Sequence, residues 1–321
     1  MPKRVWVVGA GAIGSLIAGH LAQLSEVGVL VRRQEHADAL NANGLRISGK
    51  SQLHAQVLAA VEPAQLPAPD LVIIATKAAQ VAEASRLLAS QAKDATVMTV
   101  QNGLGAETLV TSEGDWPVIS GVTFMSGTRH GDTHVEYELD TPTWIGPYAA
   151  APAERAMVTA VAELFVESGL RAEAFDDLLP VQWSKLIFNA TVNTVSALTE
   201  LPHVGLFARR GEVSDLGHLV HDLVEEGRRV AESAGVELHD DPWEMNALAV
   251  SRGETDEGDY AHVPSMLTDV RAHQHTEVDF ISGSIVREAA RCGVEAPLHA
   301  AMYRMVKARE ASWNGPEDWR V

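Results

Sequence analysis

The stretch RVWVVGAGAIGSLIAGHLA, residues 4–22, decides how the chain is read. Arg4–Val8 is a short apolar run, which reads as a buried strand. It passes directly into Gly9-Ala10-Gly11-Ala12-Ile13-Gly14, and helical spacing follows from Ala12 to Leu24. A GxGxxG string alone says little; between a strand and a helix it is a specific signal. Gly9 permits the tight turn, Gly11 lets backbone approach a pyrophosphate, and Gly14 lets the helix pack on the strand. The helix N-terminus adds oriented N–H groups and partial positive charge. The competing reading is a glycine-rich turn with no ligand. The basic Pro2-Lys3-Arg4 before an apolar run imitates a signal peptide. Gly9, Gly11 and Gly14 would break a signal helix, and no small-x-small cleavage site precedes polar sequence, so secretion is not expected.

Outward from this stretch, short apolar runs alternate with helical patterns. Strands are expected at Val27–Val31, Leu71–Ala75 and Val97–Val100, and helices at His36–Asn43 and Ala79–Gln91. This rhythm predicts a parallel sheet covered on both faces. Val118–Tyr148 alternates between turn residues and reads as short antiparallel or mixed strands. A helix over Ala153–Gly169 and a last strand at Leu170–Phe175 follow. Beyond Asp177 the spacing is helical, over Val181–Glu200, Arg210–Ala234, Pro242–Arg252 and Pro264–Cys292, with Gly235 and Gly293 as stops. The expected class is α/β: a Rossmann-type dinucleotide-binding domain over residues 1–175, then an all-helical domain over 176–321.

Composition narrows the function. The chain has 321 residues and a formal charge of −18, so bulk attraction to nucleic acid or an anionic membrane is not expected. An anionic ligand must find its positive charge locally. No run approaches the ~18 apolar residues that span a bilayer. The single cysteine, Cys292, allows no intramolecular disulfide, and the expected compartment is the reducing cytoplasm. Thirteen histidines invite a search for a metal site. The pairs His130/His134 and His273/His275 lack metal-ligand spacing of the HExxH kind, so none is expected.

The second strand ends in Arg32-Arg33 rather than in the acid that would hold a ribose hydroxyl. Taken singly, Arg32, Arg33 and Lys77 would be solvated loop charges. At the ends of adjacent strands they favour the 2′-phosphate of NADP. In QWSKLIFNATVNTVSALTE, residues 182–200, Lys185, Asn189 and Asn193 form one polar row on an otherwise apolar helix. A buried lysine needs either a function or a structural ion-pair partner. The β-branched Thr191, Val192, Thr194 and Val195 weaken helix propensity here. Downstream, Ser265 to Phe280 reads as another polar-rich helix, on which Glu277 alone would be a surface carboxylate.

With these pieces in place the chain resembles the ketopantoate reductase (2-dehydropantoate 2-reductase) family over essentially its whole length. The matching segments are GAGAIG (9–14), ATKAAQ (75–80), QNGLG (101–105), the WSKL…N…N row (183–193) and PSMLTDVRAHQHTEVDFISG (264–283). The resemblance implies an active site between the two domains. It implies NADPH held by Gly9, Ala10, Gly11, Ala12, Ile13, Gly14, Arg32, Lys77 and Gln80, with Asn102 near the nicotinamide. It implies Lys185 as proton donor, Glu277 as a substrate-holding carboxylate, and Asn189, Asn193 and Ser265 as substrate contacts. The chain departs from the family at His203 and His262, where pocket asparagines are usual, and at Thr194, where a proline is usual. The implied activity is reduction of ketopantoate to pantoate on the way to pantothenate and coenzyme A. Another 2-oxo acid or carbonyl compound, bulkier or aromatic ones included, or a silent NADP-binding sensor, are the rival readings; retention of Lys185 and Glu277 speaks against the sensor. The expected partner is a small 2-oxo acid, and the oligomeric state is left open, a homodimer included.

Overall fold

The computed structural model describes residues 1–202, 214–255 and 263–313, of which 249–255 by backbone alone. It divides into two compact units. One comprises Met1–Gln101 and Gly105–Leu178, the other Asn102–Leu104 and Leu179 onward.

In the first unit, β1 (Arg4–Val8) leads through the glycine turn into α1 (Ala12–Leu21), β2 (Glu26–Leu30) and α2 (Gln34–Asn43). Three short strands follow, β3 (Leu45–Gly49), β4 (Leu53–Ala55) and β5 (Leu58–Ala60). Next come β6 (Leu71–Ile74), α3 (Val81–Leu88), β7 (Thr96–Thr99) and α4 (Ala106–Thr111). The unit closes with β8 (Val118–Thr123), β9 (Ser126–Arg129), β10 (His134–Leu139), β11 (Thr143–Pro147), α5 (Arg155–Glu167) and β12 (Ala172–Ala174).

The main sheet has the order β12-β11-β8-β7-β6-β1-β2-β5. It is parallel except where β11 runs against β8. At its centre Val5 lies opposite Val27 and Leu71, and Val7 opposite Val29 and Ile73. The strand period of two separates two cores. Val5 and Val7 join Leu16, Ile17 and Leu21 on one face, while Trp6 and Val8 join Val81, Leu88 and Trp116 on the other. Burial on both faces explains why β1 and β6 are uninterrupted apolar runs rather than alternating ones.

A second sheet, β4-β3-β10-β9, lies over α1. A side chain at Gly19 would press on Ile47 Cδ1 at 2.6 Å, so bare backbone lets α1 and β3 approach. Every residue from Gly14 to Leu21 is therefore buried. The sequence reading has no strands at residues 45–60. The mixed strands expected over 118–148 are present but shared, β8 and β11 in the main sheet and β9 and β10 in the second.

The second unit is built on α6 (Leu179–Thr199), with α7 (Asp215–Ser233), α8 (Pro242–Thr255), α9 (Ser265–Arg271), α10 (Ser282–Cys292) and α11 (Pro297–Ser312). The helix α6 runs unbroken through its β-branched stretch, and Trp183 to Ala197 are buried without exception. Tertiary packing outweighs weak propensity here. Two of its threonine hydroxyls turn back on their own helix: Thr194 Oγ1 donates to Ala190 O at 2.6 Å and Thr199 Oγ1 to Val195 O at 2.8 Å. The start of α11 is capped by Glu226 of α7, which accepts from Leu298 N at 3.1 Å and His299 N at 2.7 Å. This fully buried carboxylate faces the positive end of a helix.

Two expectations need correction. The helix expected over Pro264–Cys292 is two helices, with a turn at residues 272–281 that includes a positive φ of 51° at His273. The helix α11 has no counterpart in the sequence reading. No helix among the described residues is long and apolar enough to cross a membrane.

Candidate active site

The glycine turn has three distinct backbone requirements. Gly9 has φ +97°, and a side chain there would meet Thr76 Cγ2 at 3.0 Å and the Ala75 backbone at 3.2 Å. A side chain at Gly14 would overlap the carbonyl oxygen of Gly9. Gly11 is different: nothing lies within 4 Å of where its side chain would be. The helix α1 begins at Ala12 with no side-chain cap. An uncapped helix end with open space before it suits an anion. Ala10 is buried, and Ala12 and Ile13 are half-buried. Beside the turn, Gln101 Nε2 holds the exit of β6 by donating to Ile74 O at 2.8 Å and Thr76 O at 3.0 Å. Gln101 Oε1 and Thr76 Oγ1 are buried with no hydrogen-bond partner among the described residues. These features fit a dinucleotide.

The basic residues separate. Arg32 is exposed and bonds no described residue. Arg33 is tied to Asp132 Oδ1 at 2.6 Å, and Arg129 reaches the same oxygen at 3.0 Å. Lys77 is exposed at the N-cap of the short 3-10 turn Ala78–Gln80, and half-buried Gln80 caps α3.

In the helical unit, Lys185, Asn189 and Asn193 share one face of α6, all less than 9% exposed. Burial pulls the Lys185 ammonium down to about 8, while Glu277 nearby works to raise it. Asn102 joins the row from the distant segment Asn102–Leu104. Its Oδ1 accepts from Asn189 Nδ2 at 3.5 Å, and its Nδ2 donates to Glu277 Oε2 at 3.5 Å. The segment is seated by backbone: Leu104 N donates to Phe280 O at 3.0 Å, and Ser284 Oγ donates to Leu104 O at 3.2 Å. Gly103, at φ +93°, lies so close to Phe280 O that any side chain would overlap it. Four residues named from sequence, Lys185, Asn189, Asn102 and Glu277, thus stand together.

Glu277 stands in the 272–281 turn rather than on the expected helix, because the chain leaves α9 at Arg271 and re-enters a helix only at Ser282. Ser265 is exposed at the first position of α9. His203 and His262 lie outside the described residues. His273 and His275 flank Trp313, at ring-centroid distances of 5.4 and 6.2 Å, and no group of three metal-binding side chains occurs among the described residues. The sequence reading missed Thr276 and Glu310, which hold the turn. The spacing Tyr303, Lys307, Glu310 (i, i+4, i+7) is the signal that one helix face bears polar groups.

A parallel sheet with an open glycine turn, followed by a helical unit with a lysine buried beside a carboxylate, defines a Rossmann-type oxidoreductase. Comparison with known proteins narrows the class. The chain belongs to the ketopantoate reductase PanE/ApbA family, whose N-terminal model matches residues 5–150 and whose C-terminal model matches residues 177–310. It is 31% identical to 2-dehydropantoate 2-reductase of Pyrococcus horikoshii, over 97% of this chain and 99% of that one. Among solved structures, a PanE/ApbA family ketopantoate reductase from Ralstonia eutropha is 27% identical with a TM-score of 0.83, covering 98% of this chain and all of the other. D-mandelate dehydrogenase in complex with NADH and anilino(oxo)acetate is 25% identical with a TM-score of 0.85, again covering 98% and 100%.

Proposed function

We propose that the protein reduces ketopantoate to pantoate with NADPH, as a cytoplasmic enzyme. The observation that carries this reading is the buried Lys185 on the same helix face as Asn189 and beside Glu277, its ammonium pushed down to about 8 by burial. A bound dihydronicotinamide supplies the hydride. The glycine turn from Gly9 to Gly14 holds its pyrophosphate, Arg32 and Lys77 its 2′-phosphate, and Gln80 and Asn102 complete the binding set. Lys185 keeps a proton at Nζ and presents it to the substrate oxygen, where negative charge develops as the carbonyl is reduced. A pKa near 8 leaves most of the lysine protonated at pH 7 yet makes it a better acid than a solvated one. Glu277, Asn189, Asn193 and Ser265 hold the substrate's carboxylate and hydroxyl groups, and Glu277 counterbalances the desolvation of Lys185.

A second reading, an aromatic 2-oxo acid as substrate, is favoured by the similarity to D-mandelate dehydrogenase and by His203, His262 and Thr194, positions at which the sequence departs from the residues usual in the family. A turnover screen decides between them. Ketopantoate, aliphatic 2-oxo acids and phenylglyoxylate are each offered with NADPH and with NADH, and loss of nicotinamide absorbance is followed. Ketopantoate with NADPH is expected to have the highest kcat/KM. Phenylglyoxylate in first place selects the second reading, and no turnover of any 2-oxo acid overturns both.

A further inference from the structure

The turn that carries Glu277 is held from one side by α11. Thr276 precedes the carboxylate in sequence, and Glu310 Oε1 accepts both its N–H at 2.8 Å and its hydroxyl at 2.6 Å. Thr276 Oγ1 in turn accepts from Val278 N at 3.2 Å, so one hydroxyl links the residues on either side of Glu277. Asp279 follows, and it accepts from Tyr303 Oη at 2.7 Å and Lys307 Nζ at 3.0 Å. Lys307 also lies 3.2 Å from Glu310, which closes the set into a network on one face of α11. Glu310 is only 3% exposed. Burial opposes its ionisation, but hydrogen bonds from Thr276, His275 and Lys307 outweigh that and hold its carboxyl below the usual range.

Such a network is more than is needed to end one helix and begin another. Between Arg271 and Ser282 the sequence contains no glycine or proline; α9 is stopped by its own backbone, with His273 left-handed, His273 N donating to Val270 O at 3.1 Å and Gln274 N to Asp269 O at 2.8 Å. A continuous helix would leave the Glu310 carboxylate buried without the Thr276 donors, which is strongly unfavourable. Beyond that stop the course of the turn is held from α11, which fixes the backbone on both sides of Glu277. The bond from Asn102 to Glu277 stands at the outer limit of hydrogen bonding, 3.5 Å, so a small shift of the turn is enough to break it.

We propose that Glu310, acting through Thr276, is a positioning residue that sets where Glu277 stands relative to Lys185 and substrate. This rests on the reading of Glu277 as part of the active site. Glu310 bonds Thr276, His275 and Lys307 rather than Glu277 itself. It acts by fixing one peptide, and small misplacements of a reacting group are costly in rate.

A double-mutant cycle tests the proposal, with kcat, KM for the 2-oxo acid, NADPH affinity and Tm measured on the same preparations. Glu310→Ala is expected to lower kcat/KM by about 10- to 100-fold and to leave NADPH affinity unchanged. Thr276→Val should lower it less, and Thr276→Ser, which keeps the hydroxyl, should restore it. In a Glu277→Gln background, Glu310→Ala should add less than about twofold, because residues acting as a unit are not additive. Should Glu310→Ala lower Tm while the folded enzyme keeps its kcat and KM, Glu310 is structural and the proposal is wrong. It is equally wrong if the effects of Glu277→Gln and Glu310→Ala multiply in full. Glu277→Gln with unchanged kcat and KM would instead remove Glu277 from the active site, and the positioning role with it. If Glu310→Ala proves too unstable to assay, the Thr276 pair carries the test alone.

Discussion

Two helices in this protein are buried on nearly every side, and they use that burial in opposite ways. The helix α1 lies between two sheets and is apolar apart from Ser15 and His20. His20 is satisfied on both ring nitrogens, by Ser168 O at 2.9 Å and Ser51 Oγ at 3.0 Å, and burial lowers its pKa so that it stays neutral. What α1 offers a ligand is its end. The helix α6 is buried to the same degree but carries Lys185, Asn189 and Asn193 along its flank, and what it offers is its side. The N-terminus of a helix gives fixed partial charges without burying an ionisable group, which suits holding an anion. A buried flank can shift the pKa of one side chain, which suits moving a proton. The energetic consequences differ accordingly, and substitutions in each helix separate them.

The largest expected effect is at Lys185. Lys185→Met should lower kcat by about 10²–10⁴-fold, the range for loss of a general acid, with NADPH affinity unchanged. Its stability should move the other way. The folded pKa, about 8, lies below the ordinary lysine value of 10.5, so the unfolded chain binds more protons between those values and stability rises with pH across that window. The penalty of burying the ammonium is thus complete below pH 8 and vanishes above 10.5. At pH 7 the methionine variant should gain up to about 3 kcal/mol, a gain read as a higher Tm that disappears in alkaline buffer. A folded variant with near-normal kcat, or a Tm that falls at pH 7, would mark Lys185 as half of a structural ion pair. For the wild-type enzyme, the rate of reduction should decline as pH rises through about 8, and Glu277→Gln should move that inflection to lower pH.

At the end of α1 the comparison is sharpened by two glycines three residues apart. Gly14→Ala places a methyl group on the Gly9 carbonyl and should destabilise the fold by about 1–3 kcal/mol or more. Gly11→Ala meets no protein atom and has an ordinary φ of −73°, so Tm should hold while dinucleotide affinity falls. Thermal midpoints and cofactor dissociation constants measured on both variants give the answer. Equal loss of stability in the two would mean that the turn is structural throughout.

This difference also explains what was legible in the sequence. The glycine turn, β1, β6 and the Lys185–Asn189 row follow local rules, since spacing and residue type determine them. The strands β3, β4 and β5 are three to five residues long, too short for alternation to register. The Glu277 turn is absent from the local pattern because the left-handed stop of α9 falls on His273 rather than on a glycine, and because the Thr276 N–H beyond it is taken by a carboxylate on α11. Asn102 joins Glu277 and Asn189 only through the folded chain, 175 and 87 residues away in sequence.

Cofactor choice gives the next smaller effect. Arg32 bonds no described residue and is free to meet a 2′-phosphate. Arg32→Ala should weaken NADPH by about 1.5–3 kcal/mol, as expected for a charge-assisted bond, and leave NADH nearly unchanged. Wild-type dissociation constants that are equal for the two cofactors would refute the preference for NADP.

The smallest effect is expected one residue later. Arg33 has the same side chain and sits at the end of the same strand, but its guanidinium is already engaged with Asp132, beside Arg129. That carboxylate lies below its usual pKa because the bonds from Arg33 and its cationic neighbours outweigh desolvation, so it stays ionised across the working range. A 2′-phosphate approaching Arg33 would have to displace or face Asp132, and the net attraction is small. The pair is exposed, so it contributes at most about 1 kcal/mol to stability. Arg33→Ala should therefore change NADPH affinity by less than about threefold, well below the Arg32 effect. Asp132→Asn, which frees Arg33 without removing it, should tighten NADPH relative to NADH. Were Arg33→Ala to cost as much affinity as Arg32→Ala, the two arginines would act as one clamp, and the Asp132 bond would have to open when cofactor binds.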